Sequence, residues 1–125
     1  MRTFEISKPV YIKSGFTIVG PKEGDGNFGN CFDIVLDNDL WCEKSYEKCE
    51  SKMQRDAVSG AIKKAGLKRE DIDIMLGGDL LNELSATSLA ARNFPSAFLG
   101  LYNACSTFSE SLIVGAMLIS GGYAD

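Results

Sequence analysis

The sequence contains no histidine, and this absence removes the most common proton carrier of enzyme active sites. Its 125 residues carry a net charge of −4 and no basic tract of the kind that binds nucleic acid. The longest apolar run near the carboxyl end, Leu112–Ile119, is far too short to span a membrane. The first ten residues lack the apolar core of a secretory signal. We therefore expect one ordinary domain, no nucleic-acid partner, no transmembrane segment and contact with membranes only through other proteins.

Cysteine is scarce and irregularly spaced. None of the four cysteines forms a Cys-x-x-Cys pair, and without histidine a zinc site would need all four thiolates at unusual spacing. We predict reduced thiols, no bound metal and no cofactor, with Cys49 as a packing residue. The cysteines are Cys31, Cys42, Cys49 and Cys105.

The first third of the sequence predicts a strand and a loop. Val10–Val19 has strand composition, whereas residues 20–30 are rich in glycine and charge and predict a mobile loop. Gly24, Gly26 and Gly29 have the G-x-G-x-x-G spacing of a dinucleotide site. Such a site must open a helix, and here a strand-like stretch follows. We therefore predict no dinucleotide site.

The clearest predicted helix runs from Ser45 to Ala65, where apolar residues recur at three- and four-residue steps. Acidic side chains lie near its start and basic ones near its end, which matches the helix dipole. Gly66 is placed to end the helix in the left-handed conformation.

The rest of the sequence alternates between short apolar strands and helices. Strands are predicted at Ile72–Leu76 and Ser96–Tyr102, and helices at Leu80–Arg92 and Ser106–Ser120. Asp79 is expected to cap the first of these helices by accepting amide hydrogens of its first turn. This alternation predicts an α/β fold with parallel neighbouring strands.

The last predicted helix, residues 106–120, is apolar on every side after Ser111. A helix of this kind requires burial all round, which a small domain with one sheet does not provide. We expect either that another chain covers it or that the sequence is the front part of a larger protein. The second is favoured, because the sequence stops soon after the helix.

Cys105 lies where a predicted buried strand meets the beginning of this last helix. Free amide hydrogens and the helix dipole stabilise thiolates there and also bind carboxylate or phosphate groups. Thiolate chemistry also requires a base, and Glu110 is the nearest weak one. Asn103, Ser106 and Ser109 indicate a polar pocket around the cysteine. The alternative is a small buried cysteine, with Ser106 as an ordinary cap.

Several stretches of the sequence resemble the stage V sporulation protein AD family, a branch of the thiolase-fold proteins. They are TIVGPKEGDGNFG, KAGLKREDIDIMLGGDLLNE, NACSTFSESL and GGYAD, and the similarity covers about residues 9–125. The resemblance implies that residues 1–125 are a single thiolase-like domain fragment, the front part of the first half of that fold. It implies a mixed sheet with helices, a central buried helix at residues 106–120, and dimers paired through the strand matching Ser96–Tyr102.

The resemblance also implies a binding protein rather than an enzyme. Members of the sporulation family look like acyl-transfer enzymes but are understood to bind dipicolinic acid (pyridine-2,6-dicarboxylic acid), alone or as its calcium chelate. They act in its uptake into the spore and its release in germination. Cys105 would then be a wall of the pocket. The ligand-binding candidates that match or border the family's pocket are Asn103, Cys105, Ser106, Glu110, Asp79 and Asn82.

Two other functions stay open. One is acyl transfer with Cys105 as the nucleophile, in which later parts of a longer chain supply the histidines. The other is an assembly subunit of a membrane transport complex, whose apolar helix docks a partner. For Asp79 in particular, capping and packing is the favoured alternative to ligand binding. We expect a homo-oligomer in the forespore or spore, held at the inner membrane by other sporulation proteins.

Overall fold

The computed structural model of the protein describes residues 3, 5–80 and 83–125. Helices and strands alternate along this part of the chain, so the predicted α/β class is confirmed. Short 3-10 turns lie at Gly29–Cys31, Arg69–Asp71 and Ala104–Ser106. The elements are β1 (Ile18–Val19), α1 (Pro21–Gly24), β2 (Ile34–Val35), α2 (Tyr46–Lys64), β3 (Ile74–Gly77), α3 (Ser85–Ala91), β4 (Ala97–Gly100) and α4 (Thr107–Gly121).

The strands form two parallel pairs, β1 with β2 and β3 with β4. In the second pair the register begins with Ile74 opposite Ala97 and ends with Gly77 opposite Gly100. The prediction of parallel neighbours is confirmed, although within the described residues the two pairs remain separate sheets.

Helices cover both faces of the β3–β4 pair. Successive residues of a strand point to opposite faces, and Met75 faces the core formed with α2 and α3. The side chain of Leu76 faces α4, with its Cδ1 3.3 Å from the place where a Cβ on Gly115 would lie. The buried core cluster is Ile62, Met75, Ala91 and Phe94.

Helix α2 follows the sequence prediction closely. The Ser45 hydroxyl accepts a hydrogen bond from the backbone N–H of Lys48 at 3.4 Å and so caps its first turn. Gly66, with φ of 73°, ends the helix in the left-handed conformation as predicted. Cys49 is buried, which confirms its packing role.

The predicted strands are longer than the observed ones. Of the strand predicted at Val10–Val19 only Ile18–Val19 pairs with a neighbour, and the later strands are Ile74–Gly77 and Ala97–Gly100. Apolar composition extends beyond these bounds, but a strand exists only where a second strand supplies its hydrogen bonds.

The segment at residues 20–30 contains more regular structure than a loop. Pro21–Gly24 forms one helical turn, and a 3-10 turn begins at Gly29. A Cβ on Gly29 would collide with the backbone carbonyl of Gly24, so these glycines allow two backbone segments to touch. β2 follows instead of a helix, in agreement with the rejection of a dinucleotide site. The mobility of the segment stays a prediction.

Helix α3 is shorter than the predicted Leu80–Arg92. It begins at Ser85, because Leu84 has a φ of 52°, in the left-handed region that a helix cannot continue through. Leu81 and Asn82 lie outside the described residues, so the prediction for Asn82 has no structural outcome.

Helix α4 matches the predicted span to within one residue, and Gly122 ends it with a φ of 77°. As expected for a chain with so little sheet, the helix is not buried on every side, and Thr107 is its one buried residue. Its burial at the centre of a larger protein stays a prediction. Phe108 is 74% exposed and Ile113 48% exposed.

Packing on β3 covers one side of α4, and the N-terminal segment at residues 6–12 lies along another side. There the backbone N–H of Lys8 donates to the Ser120 hydroxyl at 3.3 Å. The apolar side chains that neither covers remain exposed.

Residues Ala104–Gly121 form the one stretch among the described residues that is long and apolar enough to cross a membrane. This finding differs from the expectation of no such segment. The stretch is longer than the apolar run Leu112–Ile119, because it also includes the small polar residues that come before that run. Its mean hydropathy is 1.3. The core helix of a larger water-soluble protein meets the same criterion, so composition alone does not indicate a membrane span.

Candidate functional site

The candidate site lies where the carboxyl ends of β3 and β4 meet the beginning of α4. The backbone N–H of Leu101 donates to the carbonyl of Gly77 at 2.9 Å and extends the pairing past β4. Ligands of α/β proteins commonly bind at this edge of a parallel sheet. A cavity of about 400 Å³ opens there, lined by Leu76, Gly77, Gly78, Thr107, Phe108, Ser111 and Leu112.

Residues 103–107 form a hydrogen-bonded turn between β4 and α4. The backbone N–H of Asn103 donates to the Thr107 hydroxyl at 3.0 Å, and this hydroxyl donates to the carbonyl of Ala104 at 2.9 Å. The Ser106 hydroxyl donates to the Asn103 carbonyl at 2.9 Å. Ala104 has a φ of 44°, which is unusual for a residue with a Cβ. The turn is thus fixed by its own polar groups.

Cys105 lies in the middle of this turn and is exposed, so a small buried cysteine is ruled out. Asn103 and Ser106 are exposed beside it. The side-chain amide of Asn103 has no hydrogen-bond partner in the described part of the chain. The structure therefore brings together three of the predicted residues on one exposed turn.

Glu110 lies in the first turn of α4 and is half-buried. Its Oε2 atom is shielded from solvent and has no hydrogen-bond partner among the described residues. A shielded carboxylate oxygen of this kind is costly unless a donor or a cation reaches it. The Oε2 atom of Glu110 is therefore an unused hydrogen-bond acceptor at the beginning of α4.

Asp79 caps α3, as predicted, although it acts from outside the helix. Its carboxylate accepts the backbone N–H of Ala86 at 3.0 Å and that of Thr87 at 2.9 Å, and also the Thr87 hydroxyl. Gln54 of α2 donates a fourth hydrogen bond at 3.3 Å. Asp79 is 5% exposed and its oxygens are occupied by these donors. The structure therefore places Asp79 behind the site as a cap, and a direct ligand contact does not fit this arrangement.

A second carboxylate is linked to Asp79 through the same glutamine. The amide of Gln54 also donates to Glu50 at 3.3 Å. Partial desolvation raises the pKa of Glu50 above its ordinary value, and the negative charge of Asp79 raises it further. The two carboxylates and Gln54 join α2 to the beginning of α3.

Thr107 and Gly78 belong to the site but escaped the sequence analysis. Thr107 is 7% exposed, and a Cβ on Gly78 would lie 2.9 Å from its Cγ2 and collide with the Leu101 carbonyl. The available signal was a threonine two residues after the cysteine, since threonine hydroxyls often close turns at helix starts. Among the described residues no group of three Cys, Asp or Glu side chains is placed to hold a metal ion.

Comparison with known proteins decides the family. The sequence model of stage V sporulation protein AD matches residues 1–125, the whole chain. The chain belongs to the stage V sporulation protein AD family. Stage V sporulation protein AD of Bacillus subtilis (strain 168) is 38% identical over 123 residues, which cover 98% of this chain. The chain spans 36% of the length of that relative.

Membership of the stage V sporulation protein AD family confirms the resemblance inferred from the quoted motifs and indicates a role in sporulation. The turn around Cys105 and the cavity beside Gly78 lie within the matched residues. The family name specifies neither a ligand nor a reaction.

Proposed function

We propose that the chain is part of a non-catalytic protein that binds dipicolinic acid, or its calcium chelate, for uptake into the spore and release in germination. Membership of the stage V sporulation protein AD family is the observation that carries this proposal. The exposed turn around Cys105 supports it, because hydrogen-bond donors and a helix N-terminus suit a planar dicarboxylate. The chain has no histidine to act as a base for thiolate chemistry.

In this proposal Asn103 and Ser106 hydrogen-bond to the carboxylates of the ligand, and Cys105 contacts the ligand on the same exposed turn. These three residues lie beside the cavity at Gly78 and not in its lining. Asn103 is suited to this role because its side-chain amide is unoccupied within the described residues. Asp79 supports the site from behind by fixing the beginning of α3.

The charge of the site favours the calcium chelate over the free dianion. No lysine or arginine lines the cavity in the described part of the chain, and Glu110 adds a carboxylate at the beginning of α4. If the ligand reaches Glu110, a free dianion meets this carboxylate without a cation to offset it, whereas calcium accepts carboxylate oxygens as ligands.

The test is calorimetric titration of the chain with dipicolinic acid, with and without calcium. We expect saturable heat that is larger with calcium, and an affinity at least about threefold weaker in Cys105→Ala. Cys31→Ala is the matched control, since Cys31 is also exposed but lies in the turn after α1. A folded chain that gives no heat, or equal weakening in both variants, would contradict the proposal.

Acyl transfer is the second candidate, favoured by the exposed thiol of Cys105 on a turn with a left-handed Ala104. In this case the base from a longer chain takes the thiol proton of Cys105. The thiolate attacks the carbonyl carbon of an acyl-CoA, and a new thioester forms on Cys105 as the bond to coenzyme A breaks and coenzyme A takes up the proton. Incubation with a radiolabelled acyl-CoA distinguishes the two functions, since only the acyl-transfer enzyme acquires label that Cys105→Ala lacks.

A docking role is compatible with dipicolinate binding. We propose that the protein is a homo-oligomer, and that it lies at the inner membrane of the spore through other sporulation proteins. The exposed apolar side of α4 and the largely exposed strand β4 support an association surface. Spore fractionation with and without those partners tests this location.

A further inference from the structure

We propose that the Thr107 hydroxyl is a clamp that holds Ala104 in the left-handed conformation and so fixes the position of Cys105. Thr107 is a positioning residue in this proposal: its hydroxyl is engaged within the turn, although its side chain lines the cavity. The hydroxyl is buried, accepts from the N–H of Asn103 and donates to the carbonyl of Ala104. One side chain therefore joins the peptide group between Tyr102 and Asn103 to the peptide group between Ala104 and Cys105.

The conformation of Ala104 explains why a clamp is needed. Its φ of 44° brings its Cβ close to the carbonyl group of the preceding residue, Asn103, a cost that glycine does not incur. Such a conformation persists only where surrounding contacts hold it. The Ser106 hydroxyl closes the same turn on the Asn103 carbonyl but leaves the Ala104 carbonyl to Thr107.

The clamp also joins the turn to the sheet. The Thr107 methyl group lies against Gly78, where a Cβ would approach Cγ2 to 2.9 Å. Gly78 follows the last residue of β3 and lines the cavity. The position of Cys105 relative to the cavity thus depends on one buried threonine, whose methyl contacts the sheet edge while its hydroxyl holds the turn.

A double-mutant cycle tests the clamp without any ligand. Thr107→Val retains the shape and removes the hydroxyl, and Ala104→Gly removes the conformational cost that the hydroxyl offsets. We expect Thr107→Val to raise the unfolding constant about tenfold in Ala104→Gly and at least about threefold less in the Ala104 background. Without the hydroxyl Ala104 relaxes out of the left-handed conformation and recovers its cost, whereas glycine has no such cost to recover. Equal effects in the two backgrounds would mean that Ala104 stays left-handed without the hydroxyl and would overturn the proposal. If Thr107→Val does not fold, the same cycle is measured with Thr107→Ala, with the same expected difference and the same overturning result.

A second measurement follows the thiol itself, in a Cys31→Ser/Cys42→Ser background where Cys105 is the remaining exposed cysteine. We expect the rate of alkylation by iodoacetamide to change at least about threefold in Thr107→Val and to stay near wild type in Thr107→Ser. Ser111→Ala is the control, since its hydroxyl donates to the Thr107 carbonyl within α4 and not to the turn. Equal rates in all four proteins would contradict the clamp.

The effect on dipicolinate affinity depends on the proposed function. Thr107→Val is expected to weaken binding and Thr107→Ser to restore it. If the wild-type chain binds no dipicolinate, the proposed function fails, while the cycle and the alkylation rates still decide whether the clamp exists. If the wild type binds and Thr107→Val binds equally well, the clamp has no role in positioning the site.

Discussion

Gly78 and Asp79 are adjacent residues with different constraints. Gly78 must lack a side chain, because the Leu101 carbonyl and the Thr107 methyl group occupy the space that a Cβ would need. Asp79 must keep its carboxylate, because two backbone N–H groups, a hydroxyl and an amide donate to it. Their mutation therefore tests two separate structural roles beside the candidate site.

Gly78→Ala is expected to lower the free energy of unfolding by about 2–3 kcal/mol, because the new methyl group forces the ends of β3 and β4 and the beginning of α4 apart. Denaturant unfolding measures the change. Gly15→Ala is the matched control, since a Cβ there meets no atom within 4 Å, and we expect it to be neutral or slightly stabilising. Equal losses in both variants would contradict the close packing at Gly78.

Asp79→Ala is expected to cost about 3 kcal/mol of unfolding free energy, because it leaves the buried first turn of α3 without acceptors. Asp71→Ala is the comparison: Asp71 accepts the Lys68 N–H at 2.8 Å in an exposed turn, where water replaces the lost carboxylate. We expect that loss to be about 1 kcal/mol or less. If the two variants lose the same stability in chemical unfolding, the network at Asp79 does not hold α3.

At the scale of the elements, α2 and α3 begin for different reasons. The cap of α2 is Ser45, next to its first residue, and such a signal can be found in the sequence. The cap of α3 is Asp79, six positions before Ser85, and Leu84, directly before the helix, is left-handed. The prediction of Asp79 as the cap is confirmed, but the predicted start of α3 at Leu80 is too early. That start followed from the assumption that a cap lies next to the first residue of its helix.

Two glutamates of α2 are expected to respond to pH in opposite ways. The pKa of Glu50 is raised by desolvation, so the folded protein keeps its proton to a higher pH than the unfolded chain. The stability from this group is therefore present at low pH and is lost as the pH rises through the folded pKa. Glu50→Gln should be more stable than wild type at pH 7, by less than about 1 kcal/mol, and equal to it at pH 3.

The pKa of Glu47 is lowered, mainly by its own backbone N–H and also by the Ser45 hydroxyl. Its contribution is present above the unfolded pKa and is lost as the pH falls through the folded pKa. Glu47→Gln should therefore be less stable than wild type at pH 7 and equal to it well below the folded pKa. Urea unfolding of wild type and both variants at pH 7 and at low pH measures these differences in stability. A change of the same sign in both variants at pH 7 would contradict the expected opposite response.

At the scale of the whole molecule, α4 leaves apolar side chains in solvent, and we expect the chain to associate into dimers or larger species. Ile113→Lys should shift sedimentation velocity profiles toward the monomer, because it places a charge in the exposed apolar face. Ser109→Lys adds the same charge one turn earlier at an exposed polar position and is the control. A wild-type chain that sediments as a monomer at every concentration would contradict this expectation.

The sequence by itself determined the features whose signals are local. The apolar spacing of α2 and the glycine at 66 act within a few residues, and their outcome agrees with prediction. The cap at Ser45 and the glycine at 122 are equally local. The alternation of strands and helices fixed the α/β class and the parallel pairing. The motifs spread along the sequence, NACSTFSESL among them, identify the family by themselves.

Only the tertiary structure decided where the strands stop, where α3 begins, how Thr107 closes the turn before Cys105, and which side of α4 is covered. Each of these depends on contacts between residues that are distant in the chain or on a backbone conformation that composition does not encode. Strand ends depend on a partner strand, and the burial of α4 depends on how much of the protein packs against it. Local patterns specify which segments are helices and strands, and the packing between segments decides their limits and the geometry of the site.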